Sequence, residues 1–197
     1  MNKQGLSRLR QMAIVMFAVA LTGCASGTRP PKAPIPLVVY DEGGNLNRPY
    51  IASGAEGNTS AIEMYRNCTT DPHTGQTCWK MVYAAVGAWG AVMLQNPAGN
   101  WGDRPGGWDL TGASKLTFWA RGENGGEVVT FSYGGLTGNR YNDSSSGSLP
   151  NVKLTQSWTE YTIDLHGKDL SDIITGFGWM VKPGTPTTFY LDDIRYE

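Results

Sequence analysis

The sequence predicts an all-β chain folded as an antiparallel β-sandwich, and three observations predict it. The composition is rich in turn formers and aromatics and poor in charge: 26 Gly, seven Trp and 17% charged residues in 197, a balance typical of short strands joined by tight turns. The stretch 115–122 alternates with a period of two. Leu116, Phe118 and Ala120 form one row, and Thr117, Trp119 and Arg121 the other. Only an extended backbone sends successive side chains to opposite faces in this way. The third observation is repetition, since the same format of short apolar run and glycine-rich turn recurs to the C-terminus.

The chain opens outside that pattern. Lys3, Arg8 and Arg10 precede an apolar run from Met12 to Leu21, which is too short for a membrane-spanning helix of about 20 residues and reads as an export signal. It ends in Leu21-Thr22-Gly23-Cys24, which resembles the lipobox of bacterial lipoproteins. That resemblance implies cleavage after residue 23 and diacylation of Cys24, with more than one acyl chain for stable anchoring. Ala25 rather than Asp follows the cysteine, which favours an outer-membrane or cell-surface location. Loss of residues 1–23 removes three bases and no acid, so the mature chain is acidic and carries no basic run; a nucleic-acid partner is disfavoured. Pro30, Pro31, Pro34 and Pro36 make residues 24–36 a stiff extended spacer, and the sandwich is expected over 37–197.

Within it, strands are expected at 37–40, 61–65, 79–84 and 89–94, then at 116–121, 128–133, 158–165, 177–181 and 187–196. A helical turn is expected at 170–175. Residues 46–60 show no clear period, and 134–150 read as a polar loop. Cys68 and Cys78 flank a short polar loop; in an exported chain they read as a disulfide. A Cys68–His73–Cys78 metal site is the weaker alternative, because three ligands do not close a zinc shell. The Gly- and Pro-rich segment 96–108 is a long loop carrying Trp101 and Trp108, and long loops are where binding residues concentrate.

The blocks 100–103, 106–113 and 116–122 (with "FWARG"), then 158–165 and 189–194 (with "YLDDI"), together resemble the jelly-roll domains of the galactose-binding-like superfamily. The likeness is strongest to the carbohydrate-binding modules appended to bacterial glycoside hydrolases. It implies a poly- or oligosaccharide partner and a structural Ca2+ near the junction of the first and last strands, on Asp192 or Asp193. Asp41 and Glu42 in the first turn could complete an oxygen shell. Alternatively, both terminal aspartates simply face water. On a regular strand Asp193 would lie on the inward side with Phe189 and Leu191, and Asp192 on the other.

A pyranose stacks its C–H face on an indole and needs a few polar groups for its hydroxyls. Trp119 and Arg121 share one strand face and are the first candidates for such a platform, followed by Trp101, Trp108, Tyr141 and Trp179. Any of these rings could equally be core packing. Catalysis has weak support: only two histidines occur, and neither a nucleophile elbow nor a phosphate loop is present. The expected function is a lipid-anchored, non-catalytic carbohydrate binder at the cell envelope. An envelope lipoprotein that contacts another protein, or a glycan-active enzyme, stands as the alternative.

Overall fold

In a computed structural model, residues 29–41 and 48–197 are described; Cys24 and Glu42 lie outside them. Among the described residues, eleven strands form two antiparallel sheets packed face to face. The first contains β1 (Leu37–Tyr40), β3 (Ile62–Cys68), β4 (Cys78–Tyr83), β6 (Lys115–Gly122), β9 (Thr159–Asp164) and β11 (Thr187–Tyr196), in the order β3-β4-β11-β6-β9 with β1 also paired to β11. The second runs β2-β5-β10-β7-β8, from β2 (Ile51–Gly57), β5 (Gly90–Gln95), β10 (Thr175–Val181), β7 (Val128–Gly134) and β8 (Ser146–Lys153). This is the expected jelly-roll sandwich.

Alternation places the core. Leu116, Phe118 and Ala120 of β6 and Phe189, Leu191 and Ile194 of β11 meet Val129 and Phe131 of β7 and Phe177, Trp179 and Val181 of β10, all nearly inaccessible to solvent. Phe118 lies 4.6 Å from Phe131 and 5.2 Å from Phe177, measured between ring centroids, so aromatic pairs bridge the sheets at the spacing at which tilted rings attract.

Two strands went unforeseen, and both are edges of the second sheet. β2 is mostly exposed and built from small and polar residues, and β8 carries Gly147 and Pro150. An edge strand can host a proline and need not bury a whole face, so neither shows a clear period. Residues 170–175 form no helical turn: Ile173 is fully buried and bridges to Trp108. The spacer also ends earlier than expected. Ala33 is buried and donates to the Asp109 carbonyl at 2.8 Å, while Asp109 N–H donates to the Pro31 carbonyl at 2.9 Å, so residues 31–33 already belong to the domain.

Candidate functional site

The outer face of the first sheet was the expected platform, and the chain covers it. Residues 69–77, between β3 and β4, lie across it as a strap. The His73 ring stacks on Trp119 with centroids 3.7 Å apart and planes 16° apart, and Trp158 meets His73 edge-on at 5.9 Å. Arg121, only 5% exposed, sits 3.7 Å over the Tyr190 ring and donates to the Thr70 carbonyl at 3.0 Å. Its remaining charge partner is Asp71 at 3.7 Å. Trp119 and Arg121 do share one face, as expected, but strap residues occupy the positions a sugar would take.

Asp192 and Asp193 hold the strap down. The register between β11 and β6 slips after Asp192, and Asp193 adopts a left-handed φ of 48°. This bulge puts both carboxylates on the outer side and returns Ile194 to the core, so Asp193 does not lie inward with Leu191 as a regular strand would require. Asp192 accepts the His73 and Thr74 amides at 3.1 and 3.3 Å; Asp193 accepts the Thr74 hydroxyl and pairs with His73 Nδ1, both at 2.9 Å. The other Asp193 oxygen accepts from Arg195 at 2.9 Å. Burial, foremost, raises the Asp192 carboxyl above the usual range, with the neighbouring Asp193 charge adding to it. These carboxylates are spent on protein donors, and a calcium ion would have to displace Arg195 and the strap. Asp41 has an interaction of its own, and the described residues contain no cluster of three His, Cys, Asp or Glu side chains able to hold a metal. The arrangement does not fit the Ca2+ site that the resemblance implied.

The other expected rings divide. Trp179 is core: it is 1% exposed and packs edge-on against Phe189 at 5.2 Å. Trp108 packs against the core from its loop and donates from Nε1 to the Pro49 carbonyl at 3.1 Å. Neither is a platform. Tyr141 is half-buried under the Arg140 guanidinium, and its amide donates to Gly102 O at 3.0 Å, bracing the loop that carries Trp101. Trp101 itself is half-exposed and lines a groove.

That groove lies on the outer face of the second sheet, where no strap crosses among the described residues, and its volume is about 380 Å³. Strand register builds its floor. One cross-strand row is Glu56, Ala91, Met180 and Thr130; the next is Gly54, Met93, Gly178 and Ser132. Small side chains keep the middle low. A Cβ on Gly178 would meet Val92 O at 3.2 Å and Ser132 Oγ at 3.4 Å, so the sheet surface itself forms the bottom. Trp89, 40% exposed, stands where β5 begins, and Trp101 belongs to the loop that follows its far end. At ~3.3 Å per residue, β5 separates the two ends by roughly 20 Å. Trp89 was read from sequence only as the start of a strand; the structure ends the regular pairing at Gly90 and leaves Trp89 just outside it.

No protein-family model matches the sequence, and no curated protein matches it. Solved structures do. A family 30 carbohydrate-binding module of a cellulosomal cellulase from Clostridium thermocellum superposes with a TM-score of 0.57 at 16% identity, over 83% of this chain and 98% of that one. A family 11 module from Clostridium thermocellum, in complex with a β-1,3-1,4-mixed-linked tetrasaccharide, gives 0.55 at 13% identity, over 83% and 96%. The chain shares the jelly-roll sandwich fold of these modules.

In this jelly roll the far wall of the groove rests on Asp143. Its carboxylate accepts the Leu136 amide at 2.8 Å and the Ile174 and Thr175 amides at 2.6 and 3.0 Å, tying the 135–145 loop to the start of β10. Leu136 and Thr175 line the groove, and Asn139 of the same loop donates to the Trp101 carbonyl at 2.6 Å. Despite three N–H donors, burial lifts the Asp143 carboxyl above its ordinary value. Asp172 beside it is pushed up to about 6 by burial and by the Asp143 charge.

Proposed function

We propose that the chain is a lipid-anchored, non-catalytic module that binds a poly- or oligosaccharide at a bacterial cell envelope, with the sugar lying in the groove between Trp89 and Trp101. The observation that carries this is a sheet face that no described residue crosses, with an accessible indole at each end and a low-relief floor between them, apolar at Ala91, Met93 and Met180 and polar at Glu56, Thr130 and Ser132. Indole faces take the C–H face of a pyranose, and Thr130, Ser132 and Glu56 offer partners for hydroxyls. A distance of roughly 20 Å along β5 suits several linked sugar rings better than one. Glu56 is the single carboxylate among the lining residues, whereas glycosidases usually set two across the scissile bond; this favours binding over hydrolysis. The lipobox-like sequence ending at Cys24 supports the anchor, and the sandwich likeness to carbohydrate-binding modules supports the ligand class.

The test is a glycan array probed with the full chain in detergent, with linear β-glucans as the first probes. Wild type is expected to bind oligosaccharides longer than a disaccharide, and Trp101→Ala to weaken binding about tenfold or more with stability changed by less than about 0.5 kcal/mol. Absence of binding to every glycan would move the assignment to an envelope lipoprotein that contacts another protein.

A further inference from the structure

The strap that closes the first sheet has both its ends at cysteines. Cys68 and Cys78 face each other as direct partners in the β3–β4 register, just past a slip between Tyr65 and Cys68. Both thiols are free in this structure. Direct partners on antiparallel strands hold their Cβ atoms about 4.5–5.5 Å apart, and a disulfide needs roughly 3.5–4.5 Å, so only a small approach separates the two states. The two sulfurs are unequal in access. Cys68 is half-buried at the edge strand; Cys78 is fully buried with Sγ 3.9 Å from the Thr70 carbonyl.

Between these residues the strap is seated by separate, mostly polar contacts. Thr70 and Asp71 carbonyls accept from Arg121 at 3.0 Å and from Trp158 Nε1 at 2.8 Å. The His73 and Thr74 amides rest on Asp192, and the His73 ring lies on Trp119. If the strap lifts, a half-exposed indole, a guanidinium on a tyrosine face and two carboxylates come into the open together. Lifting the strap uncovers the Trp119 ring and gives up these hydrogen bonds, so a device that holds it in place has a physical purpose.

We propose that Cys68 and Cys78 are an oxidisable pair, and that their disulfide is the clasp that keeps the 69–77 strap seated on Trp119 and Arg121. The oxidant is a small or protein disulfide. The Cys68 thiolate attacks one of its sulfurs, forming a mixed disulfide and releasing the first thiol. Cys78 then loses its proton, attacks Cys68 Sγ and releases the second. Two cysteine sulfurs are oxidised, one donor disulfide is reduced to two thiols, and the two protons end on those thiols. Access sets the order of attack, and burial, which pushes the Cys78 thiol up to about 12, keeps it protonated until the mixed disulfide forms beside it.

The experiment treats the full chain in detergent with oxidised glutathione, then compares it before and after dithiothreitol. Intact mass is expected to show an internal disulfide, with no glutathione retained. Amide exchange at His73 and Thr74 is expected to speed up at least tenfold on reduction, while the Ile174 and Thr175 amides held by Asp143 stay unchanged. Tm is expected to fall by roughly 5–10 °C on reduction, as for a loop of this size. Cys68→Ser is expected to form no internal disulfide and to match the reduced protein in amide exchange and Tm. Persistent free thiols, a stable glutathione adduct on Cys68, or an internal disulfide that leaves His73 and Thr74 exchange unaltered would each overturn the proposal. The wild-type comparison needs no variant to fold.

Discussion

The two outer faces of this sandwich begin from similar material and end differently. On the first sheet, an indole and a guanidinium side by side on β6 are roofed by residues 69–77 and tied down through Asp192 and Asp193. On the second, the central rows are small or flexible, Ala91 and Gly178 beside Met93 and Met180, and the two indoles stand at the ends with none of the described residues laid across them. The richer aromatic row is therefore the covered one. A Trp–Arg face is a good surface for a ligand and equally good for a loop of the same chain. Whichever is tethered closer wins, because a loop anchored at both ends loses less freedom on docking than a free ligand does.

The largest effect that would break this contrast is expected at Trp179. As a core ring against Phe189, Trp179→Ala should cost about 3–5 kcal/mol in urea unfolding and leave glycan affinity per folded molecule unchanged. The reverse pattern would make Trp179 a platform and the second face wrongly described. Next is Arg121→Ala, which removes a buried cation from the Tyr190 face and from the Thr70 carbonyl. A loss of about 2–3 kcal/mol is expected, again without loss of glycan binding. Arg121→Lys should not restore it fully, since an ammonium cannot reproduce the planar stack. Binding lost in proportion to neither stability nor folding would return the ligand to the first sheet.

The smallest effect sharpens the groove side. Asp172 carries a folded-state carboxyl at about 6, above its unfolded value near 4, so ionising it is harder in the fold than out of it. Its favourable contribution is complete below about pH 4 and fades as pH rises through about 6, leaving the protein somewhat less stable at neutral pH. Asp143 and Asp192, raised chiefly by burial, push in the same direction. Asp172→Asn is expected to flatten part of that slope by at most about 1 kcal/mol, given how far solvent screens the group. Urea midpoints from pH 4 to 7 would measure it, and an unchanged slope would remove Asp172 from the support of the groove wall.

Much of the sandwich was legible in the residue pattern. Strands buried on one face announce themselves by alternation, as β6, β7 and β11 do. The edges β2 and β8 do not, because neither face imposes a period on them. The aspartate pair misled for a related reason: a single left-handed residue, Asp193, shifts the phase of β11 by one, and the sequence carries no mark of that except two acids where one was due. Cys68 and Cys78 were visible as a pair; the register sets them face to face with both thiols free. Trp101 was visible as a loop indole, whereas Trp89 looked like an ordinary strand start.

By itself the sequence determined the two-layer all-β class, the position of the central strands and the inward rows of the core, since period-two burial is a local property of the chain. Only tertiary structure decided which outer face meets solvent. That depends on where a nine-residue loop comes to rest and on a bulge more than a hundred residues away that receives it, and no local pattern couples two segments so far apart.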